Sequence, residues 1–78
     1  MNKIVLPELG EGITKAKIAG WHKNPGEFIK RDEDIVEVVT DKAIFNVSSD
    51  CDGFLKEIFY KQGQEASIGE VLATLETR

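Results

Sequence analysis

Cysteine and histidine are almost absent from this sequence. Its 78 residues include one cysteine, Cys51, and one histidine, His22. A single cysteine cannot form an internal disulfide, which is typical of a protein from a reducing compartment. Two such residues cannot supply the ligand set of a zinc site, and nothing in the sequence orients them as a nucleophilic pair. We therefore expect no disulfide, no metal site and no catalytic residue.

Long hydrophobic runs and an excess of basic residues are also missing. No apolar stretch approaches the roughly 18 residues that a membrane-spanning helix requires, and residues 1–7 lack the apolar core and cleavage site of a signal peptide. Ten Lys and Arg stand against fourteen Asp and Glu, which gives a net charge of −4. This balance argues against nucleic acid and anionic membrane as partners. The sequence thus predicts a soluble protein of the cytoplasm, or of the mitochondrial matrix in a eukaryote.

Short apolar clusters separated by turn residues make up most of what is present. The length allows one domain, residues 1–78. Clusters rich in Val, Ile, Phe and Thr alternate with glycines and with the strong turn signal Asn24-Pro25-Gly26. No window keeps the apolar spacing of a long helix. The pattern predicts an all-β sandwich or barrel, with strands at residues 4–6, 13–22, 35–40, 43–47, 54–60 and 71–75.

A weak internal repeat indicates two similar halves. A shift of 37 residues superimposes Ile18 on Leu55, Trp21 on Ile58, Gly26 on Gly63, Glu33 on Glu70, Ile35 on Leu72 and Val38 on Leu75. We interpret this repeat as a quasi-twofold axis. The same shift relates residues 41–42 to Arg78 and Val5. Residues 41–42 should therefore lie at the opposite end of the domain from both termini.

The segment 36–47 is predicted to form a β-hairpin with Asp41-Lys42 at its tip. Alternation along its strands assigns four side chains to the core and turns Glu37 and Asn46 outwards together. The four are Val36, Val38, Phe45 and Val47. Two-residue tips usually contain Asn-Gly or Asp-Gly, which accept positive φ, so Asp-Lys indicates that this tip serves a purpose besides the turn.

Several motifs occur in a fixed order along the chain. They are Pro7-Glu8-Leu9-Gly10-Glu11-Gly12-Ile13, Pro25-Gly26, Thr40-Asp41-Lys42-Ala43, and the glycines Gly53 and Gly63. In order and spacing they resemble the lipoyl domains of 2-oxo acid dehydrogenase complexes, within the biotinyl/lipoyl carrier family, and the resemblance extends from Val5 to Leu75. It implies a flattened barrel or sandwich of two antiparallel sheets with internal quasi-twofold symmetry, a barrel-sandwich hybrid.

The resemblance also implies a modification site. Lys42 would carry lipoic acid in amide linkage to its side-chain nitrogen. Its neighbours Thr40, Asp41 and Ala43 would be recognition residues, and Asp41 would position the turn for the lipoate-attaching enzyme. The loop Gly10-Glu11-Gly12 would lie near the lysine, where partner enzymes make contact.

The function that this resemblance implies is that of a swinging-arm carrier. The lipoyl group would be reductively acylated by a thiamine diphosphate-dependent 2-oxo acid decarboxylase. It would deliver the acyl group to coenzyme A at the acyltransferase catalytic domain and be reoxidised by dihydrolipoyl dehydrogenase. The isolated domain would be a monomer and not an enzyme, excised from a longer dihydrolipoyllysine-residue acyltransferase. Pyruvate, 2-oxoglutarate, branched-chain and acetoin complexes all use such domains, so the substrate stays open.

Two other functions stay open at this point. A biotin carboxyl carrier shares the fold, but that family usually places methionines on both sides of its lysine, where this chain has Asp41 and Ala43. An unmodified β-sandwich adaptor would leave Lys42 as a solvated charge. One departure from the lipoyl pattern is Val39, where glutamate is common. Val39 is expected to pair with Ile44 across the hairpin. The pair is either an ordinary cross-strand pair or a small apolar platform for the lipoyl chain or a partner enzyme.

Overall fold

The structure, a computed structural model, describes residues 2–77, which form eight strands joined by turns and loops. The strands are β1 (Asn2–Val5), β2 (Lys15–Trp21), β3 (Phe28–Ile29), β4 (Asp34–Val39), β5 (Ile44–Ser48), β6 (Gly53–Ile58), β7 (Glu65–Ser67) and β8 (Val71–Glu76). They form two four-stranded antiparallel sheets in the orders β1-β8-β6-β3 and β5-β4-β2-β7. The predicted all-β architecture of two sheets is confirmed. The edge strands β3 and β7 were not predicted, because two or three residues are too few to show alternation.

The quasi-twofold relation is confirmed by strand order and by backbone hydrogen bonds. Read in order, β1, β8, β6 and β3 of one sheet correspond to β5, β4, β2 and β7 of the other. The Gly26 N–H donates to the Leu55 carbonyl at 2.7 Å, and 37 residues further on the Gly63 N–H donates to the Ile18 carbonyl at 2.8 Å. Because these turns repeat the same contacts, each half of the chain fixes the other in the same way.

A positive φ occurs at equivalent positions in both halves. Gly69 has φ 92°, and Asp32, 37 residues earlier, has φ 70°. Asp32 is the single non-glycine residue with positive φ in the described chain. Aspartate tolerates the left-handed region better than most side chains, which explains why one half keeps a carboxylate where the other has glycine.

The core lies between the sheets and consists of aliphatic side chains. Its buried hydrophobic members are Ile4, Leu6, Ala16, Ile18, Ile29, Ile35, Val36, Val38, Val47, Leu55, Ala66, Leu72, Ala73 and Leu75. The predicted inward face of the hairpin is confirmed, since Val36, Val38 and Val47 are buried and Phe45 packs against the core from a half-buried position. Trp21, the last residue of β2, packs against the core, and its Nε1–H donates to the Tyr60 carbonyl at 2.8 Å.

The connections place the hairpin tip away from the ends of the described chain. Asn2 pairs with Leu75 at one end of its sheet, and the Asn2 amide donates to Cys51 Sγ at 3.0 Å. The chain leaves β1 at the other end, where β2 begins and pairs with both β7 and the end of β4. The tip that follows β4 therefore lies beyond the end of the sheet that is remote from Asn2. The terminal residues themselves, Met1 and Arg78, lie outside the described residues, so the prediction is tested only up to Asn2 and residue 77.

Candidate functional site

The hairpin that carries Lys42 has the predicted register. Val39 pairs with Ile44, Val38 with Phe45, Glu37 with Asn46 and Val36 with Val47, which leaves residues 40–43 to close the turn. Neither tip residue has a positive φ. The expectation of a tip that departs from its backbone rule is therefore wrong, because the turn does not use the geometry that asks for glycine.

The hydroxyl of Thr40 holds the tip together. Its Oγ1 accepts the Lys42 N–H at 3.1 Å and the Ala43 N–H at 3.0 Å, and it donates to the Ala43 carbonyl at 3.0 Å. The Thr40 N–H reaches the same carbonyl at 2.9 Å. One side chain thus anchors the backbone on both sides of Lys42, as serine and threonine do in tight turns. This fixes the direction in which the lysine leaves the hairpin.

The loop Gly10-Glu11-Gly12 lies beside the lysine, as the resemblance implied. The Lys42 Nζ lies 3.4 Å from the Glu11 carbonyl oxygen. A Cβ built on Gly12 would come within 3.1 Å of that Nζ, and Gly12 has φ +82°. The backbone conformation therefore favours glycine at this position, and the lysine nitrogen beside it ends an exposed side chain that can move aside.

The side chains of the tip are open to solvent. Asp41, Lys42 and Ala43 are exposed, as are Glu8 and Glu11 of the neighbouring loop. Ile44 is 63% exposed, whereas its partner Val39 is half-buried. An exposed lysine is thus presented at the tip, with two aliphatic side chains directly below it on the outer face of the sheet.

A groove of about 450 Å³ lies beside the tip. It is formed by residues 12–17, by residues 39–41 and by Glu65. Of these residues, Gly12, Val39, Thr40 and Asp41 were expected from the sequence to lie at the site, whereas residues 13–17 and Glu65 were not. The only local signal for them is the alternation of Lys15 and Lys17 about Ala16, which places both lysines on one outer face without showing what lies opposite.

The other residues that could carry chemistry have structural partners. His22 shares a hydrogen bond with Asn46 at 2.9 Å, and Cys51 accepts from Asn2, so neither is oriented by the other. Asp52 accepts the Arg31 N–H at 2.7 Å. Across residues 2–77 no three His, Cys, Asp or Glu side chains gather as a metal-binding group. No helix in that range is long and apolar enough to cross a membrane.

Two turns elsewhere contain carboxylates whose pKa is lowered. The Lys30 N–H donates to Glu33 at 3.0 Å and, together with the Lys23 ammonium at 3.1 Å, lowers the pKa of that carboxyl. The equivalent Glu70 accepts the Ser67 N–H and the Tyr60 hydroxyl, both at 2.7 Å, which lowers its pKa and raises that of the tyrosine. These groups stabilise turns and lie outside the Lys42 site.

Comparisons with known proteins place this geometry in a family. The model of the Biotin_lipoyl family, described as "Biotin-requiring enzyme", matches residues 2–75. The chain is 37% identical over 73 residues to the dihydrolipoyllysine-residue succinyltransferase component of the 2-oxoglutarate dehydrogenase complex of Rickettsia bellii, covering 94% of this chain and 18% of that protein. The chain thus spans about a fifth of the length of that relative.

Solved structures agree with the sequence comparison. The lipoyl domain of the 2-oxoglutarate dehydrogenase complex from Azotobacter vinelandii has a TM-score of 0.77 and 39% identity, covering 97% of this chain and 96% of that one. The lipoyl domain of the dihydrolipoyl succinyltransferase component from Escherichia coli has a TM-score of 0.78 and 34% identity, covering 97% and 95%. With its motifs, its fold and its exposed hairpin lysine, the chain belongs to the biotinyl/lipoyl carrier family and, within it, groups with the lipoyl domains of 2-oxo acid dehydrogenase acyltransferases.

Proposed function

We propose that this domain is a swinging-arm carrier in which lipoic acid is joined by an amide bond to Lys42. The observation that carries the proposal is the exposed lysine at a hairpin tip that the Thr40 hydroxyl anchors on both sides. A carrier must present its arm to several active sites in turn, so the attachment point has to protrude and stay rigid. The tip satisfies both conditions.

The residues around Lys42 fit an acyl group on its nitrogen. The nitrogen is exposed beside Gly12, and it makes a long 3.4 Å hydrogen bond to the Glu11 carbonyl. Acylation would cost little more than that contact, because the ammonium is not held in a buried ion pair. In the attachment step the carbonyl carbon of an activated lipoyl donor, supplied by the lipoate-attaching enzyme, bonds to Nζ, while the donor's leaving group departs and the nitrogen gives up its excess protons.

When bound, the lipoyl group supplies reversible disulfide redox chemistry and a thiol that accepts an acyl group. The chain itself positions the arm and limits where it can reach. A lysine side chain extended by a lipoyl chain reaches on the order of 12–14 Å from the backbone. Within that radius the tether replaces free diffusion by a high effective concentration at each partner.

We further propose the 2-oxoglutarate dehydrogenase complex as the assembly in which the domain works. The support is the set of relatives, since the relative and both solved structures named above belong to that complex. The partners would be its 2-oxo acid decarboxylase, the acyltransferase catalytic domain of the same chain and dihydrolipoyl dehydrogenase. Residues 1–78 would then be one carrier domain of a longer acyltransferase working in a reducing compartment.

Intact mass tests the modification. The domain is incubated with a lipoate-attaching enzyme, lipoate and ATP, beside the variants Lys42→Ala and Lys61→Ala. Lys61 is an exposed lysine in a turn of the other half and serves as the matched control. We expect a gain of one lipoyl group in the native domain and in Lys61→Ala, and none in Lys42→Ala. A gain only with a biotin-attaching enzyme and biotin would favour the biotin carrier, and no gain with either enzyme would favour the adaptor.

Reductive acylation identifies the complex. The lipoylated domain is offered to decarboxylases specific for 2-oxoglutarate, pyruvate and branched-chain 2-oxo acids, and initial rates are compared at one low domain concentration. We expect the 2-oxoglutarate enzyme to give the highest rate. A higher rate with either of the other enzymes would overturn the assignment to this complex and leave the carrier function intact.

A further inference from the structure

The groove beside Lys42 is not needed for a simple protruding arm. We propose that the lipoyl arm, when no partner holds it, folds back from Lys42 and packs in this groove. The inference rests on the proposed function, since it concerns the modified lysine. It assigns residues 12–17 and 39–41 a second role, which is to store the arm against the domain between encounters with partner enzymes.

The attachment point is at the mouth of the groove. Gly12 lines the groove, and the position of its absent Cβ is 3.1 Å from the Lys42 nitrogen. Thr40 and Asp41, on the other side of the lysine in the hairpin, line it as well. An arm bonded to that nitrogen therefore starts next to residues that line the groove, and the tether makes entry an intramolecular event without a loss of translational entropy.

The surface of the groove suits an uncharged, largely aliphatic chain. Ile13 and Val39 are both half-buried and contribute apolar surface. Contact between these side chains and the methylene groups of the arm removes apolar area from water, which favours the folded-back position.

The charged residues of the groove cancel one another. Lys15 and Glu65 form an ion pair at 3.4 Å, and Lys17 is the strand partner of the same glutamate. With Asp41, the lining carries two lysines and two carboxylates, and so no net charge. An amide-linked lipoyl arm is also neutral, so it fits this lining better than a strongly charged peptide does.

A stored arm would change how partners obtain it. The arm would exchange between the groove and solvent, and a partner would capture the extended fraction, so the apparent affinity falls by that fraction. A substitution that empties the groove would raise the extended fraction without altering the tip itself. Position 39 offers this substitution, because its side chain lines the groove whereas Ile44, directly opposite, does not.

Solution NMR of the domain tests the inference, after intact mass has shown complete lipoylation. Nuclear Overhauser effects are measured between the arm protons and the methyl groups of Ile13 and Val39. Backbone amide shifts are compared with those of a domain acetylated at Lys42, which has the same amide but no chain. We expect contacts to both methyl groups and amide shift differences confined to residues 12–17 and 39–41.

Two variants at position 39 and a control at position 44 test whether the arm contacts depend on the groove. Val39→Glu places a charge in the groove, and Val39→Thr keeps the branched shape while replacing a methyl by a hydroxyl. Ile44→Glu makes the same charge change outside the groove on a residue that is 63% exposed. We expect the arm contacts to Ile13 to be lost in Val39→Glu, weakened in Val39→Thr and kept in Ile44→Glu.

The outcomes separate this inference from the function on which it rests. A domain that gains no lipoyl mass contradicts the carrier function. A fully lipoylated domain without arm contacts, whose shifts equal those of the acetylated domain, overturns the groove proposal alone. Equal loss of contacts in Val39→Glu and Ile44→Glu would also overturn it, because the effect would then come from charge on the sheet face and not from the groove. A domain carrying an octanoyl chain should show the same contacts, since the packing depends on methylene groups and not on sulfur.

Discussion

The same chemical change, threonine to valine, should have opposite effects at two positions of this domain. Thr74 lies on β8 and is 8% exposed, and its Oγ1 is buried with no hydrogen-bond partner among the described residues. Thr40 closes the lysine hairpin, where its hydroxyl takes part in three hydrogen bonds. Valine has nearly the shape of threonine and an equal preference for strands. The difference between the two sites therefore isolates the hydroxyl.

At Thr74 the hydroxyl is a cost. A buried, unsatisfied hydroxyl destabilises a protein by about 1–3 kcal/mol, and a methyl of the same shape removes that penalty. We expect Thr74→Val to raise the free energy of unfolding by about 1 kcal/mol. At Thr40 the groups that bond to the hydroxyl are partly exposed, so water can replace part of the hydrogen bonding that valine removes. Thr40→Val should lower the free energy of unfolding by about 1 kcal/mol.

Urea denaturation followed by tryptophan fluorescence measures both effects, since Trp21 packs against the core. With a slope near 1 kcal/mol per molar urea, expected of a small domain, the two midpoints should move by about 1 M in opposite directions. Serine at each site is the control. Thr40→Ser keeps the hydroxyl and should stay close to the native midpoint, whereas Thr74→Ser keeps the unsatisfied hydroxyl, loses a buried methyl and should fall below it. A lowered midpoint in Thr74→Val, or an unchanged one in Thr40→Val, would refute the reasoning.

Three further predictions concern pH, salt and the loop beside the lysine. The pKa values of Glu33 and Glu70 are lowered in the folded state. The stability that these carboxylates contribute is therefore present above the ordinary carboxyl pKa and is lost as the pH falls through the lowered values. Urea midpoints measured across the acid range should fall less steeply in the double variant Glu33→Gln, Glu70→Gln than in the native domain. The exposed carboxylates of Asp41 at the tip and of Glu8 and Glu11 in the loop should attract basic surfaces on partner enzymes. Reductive acylation at low domain concentration should therefore slow as ionic strength rises. A rate that does not change with salt would argue against this electrostatic attraction. Gly12→Ala and Gly26→Ala both add a Cβ at positive φ and should each lower the free energy of unfolding by about 1 kcal/mol. The Cβ at position 12 approaches only the exposed, flexible end of Lys42, at 3.1 Å, so the two urea midpoints should fall by similar amounts, and a much larger fall in Gly12→Ala would contradict this.

The hairpin register could be predicted from the sequence because one of its faces is buried. A slip of one residue would turn Val36 and Val38 out to solvent, so alternation alone permits one pairing. The turns at Gly26 and Gly63 were equally predictable, because each glycine follows an apolar cluster at the same spacing. Where burial and turn chemistry act locally, the sequence is sufficient.

The candidate site was predictable in its residues and not in its contacts. The lysine, its neighbours and the loop at 10–12 came from resemblance, and the structure shows that the Lys42 nitrogen meets the loop at the Glu11 carbonyl. The hydrogen bonds that the Thr40 hydroxyl makes within the turn were not predicted, because the sequence does not show that this hydroxyl, and not a glycine, shapes the tip. The groove was hidden too, since it is made by three segments that the fold brings together from distant parts of the chain.

The quasi-twofold symmetry explains where function could arise in so small a domain. Each half repeats the same turns and bonds, and these repeated contacts stabilise the fold. The Lys42 hairpin is different, because β4 continues into β5 through a turn, whereas β8 pairs with β1, a strand from the beginning of the chain. The tip therefore has no counterpart in the other half, and its Thr40 bonds are not repeated there. A residue outside the repeat can change without disturbing the contacts that fold both halves. The lysine and the turn that presents it occupy the part of the molecule that the symmetry leaves free to specialise.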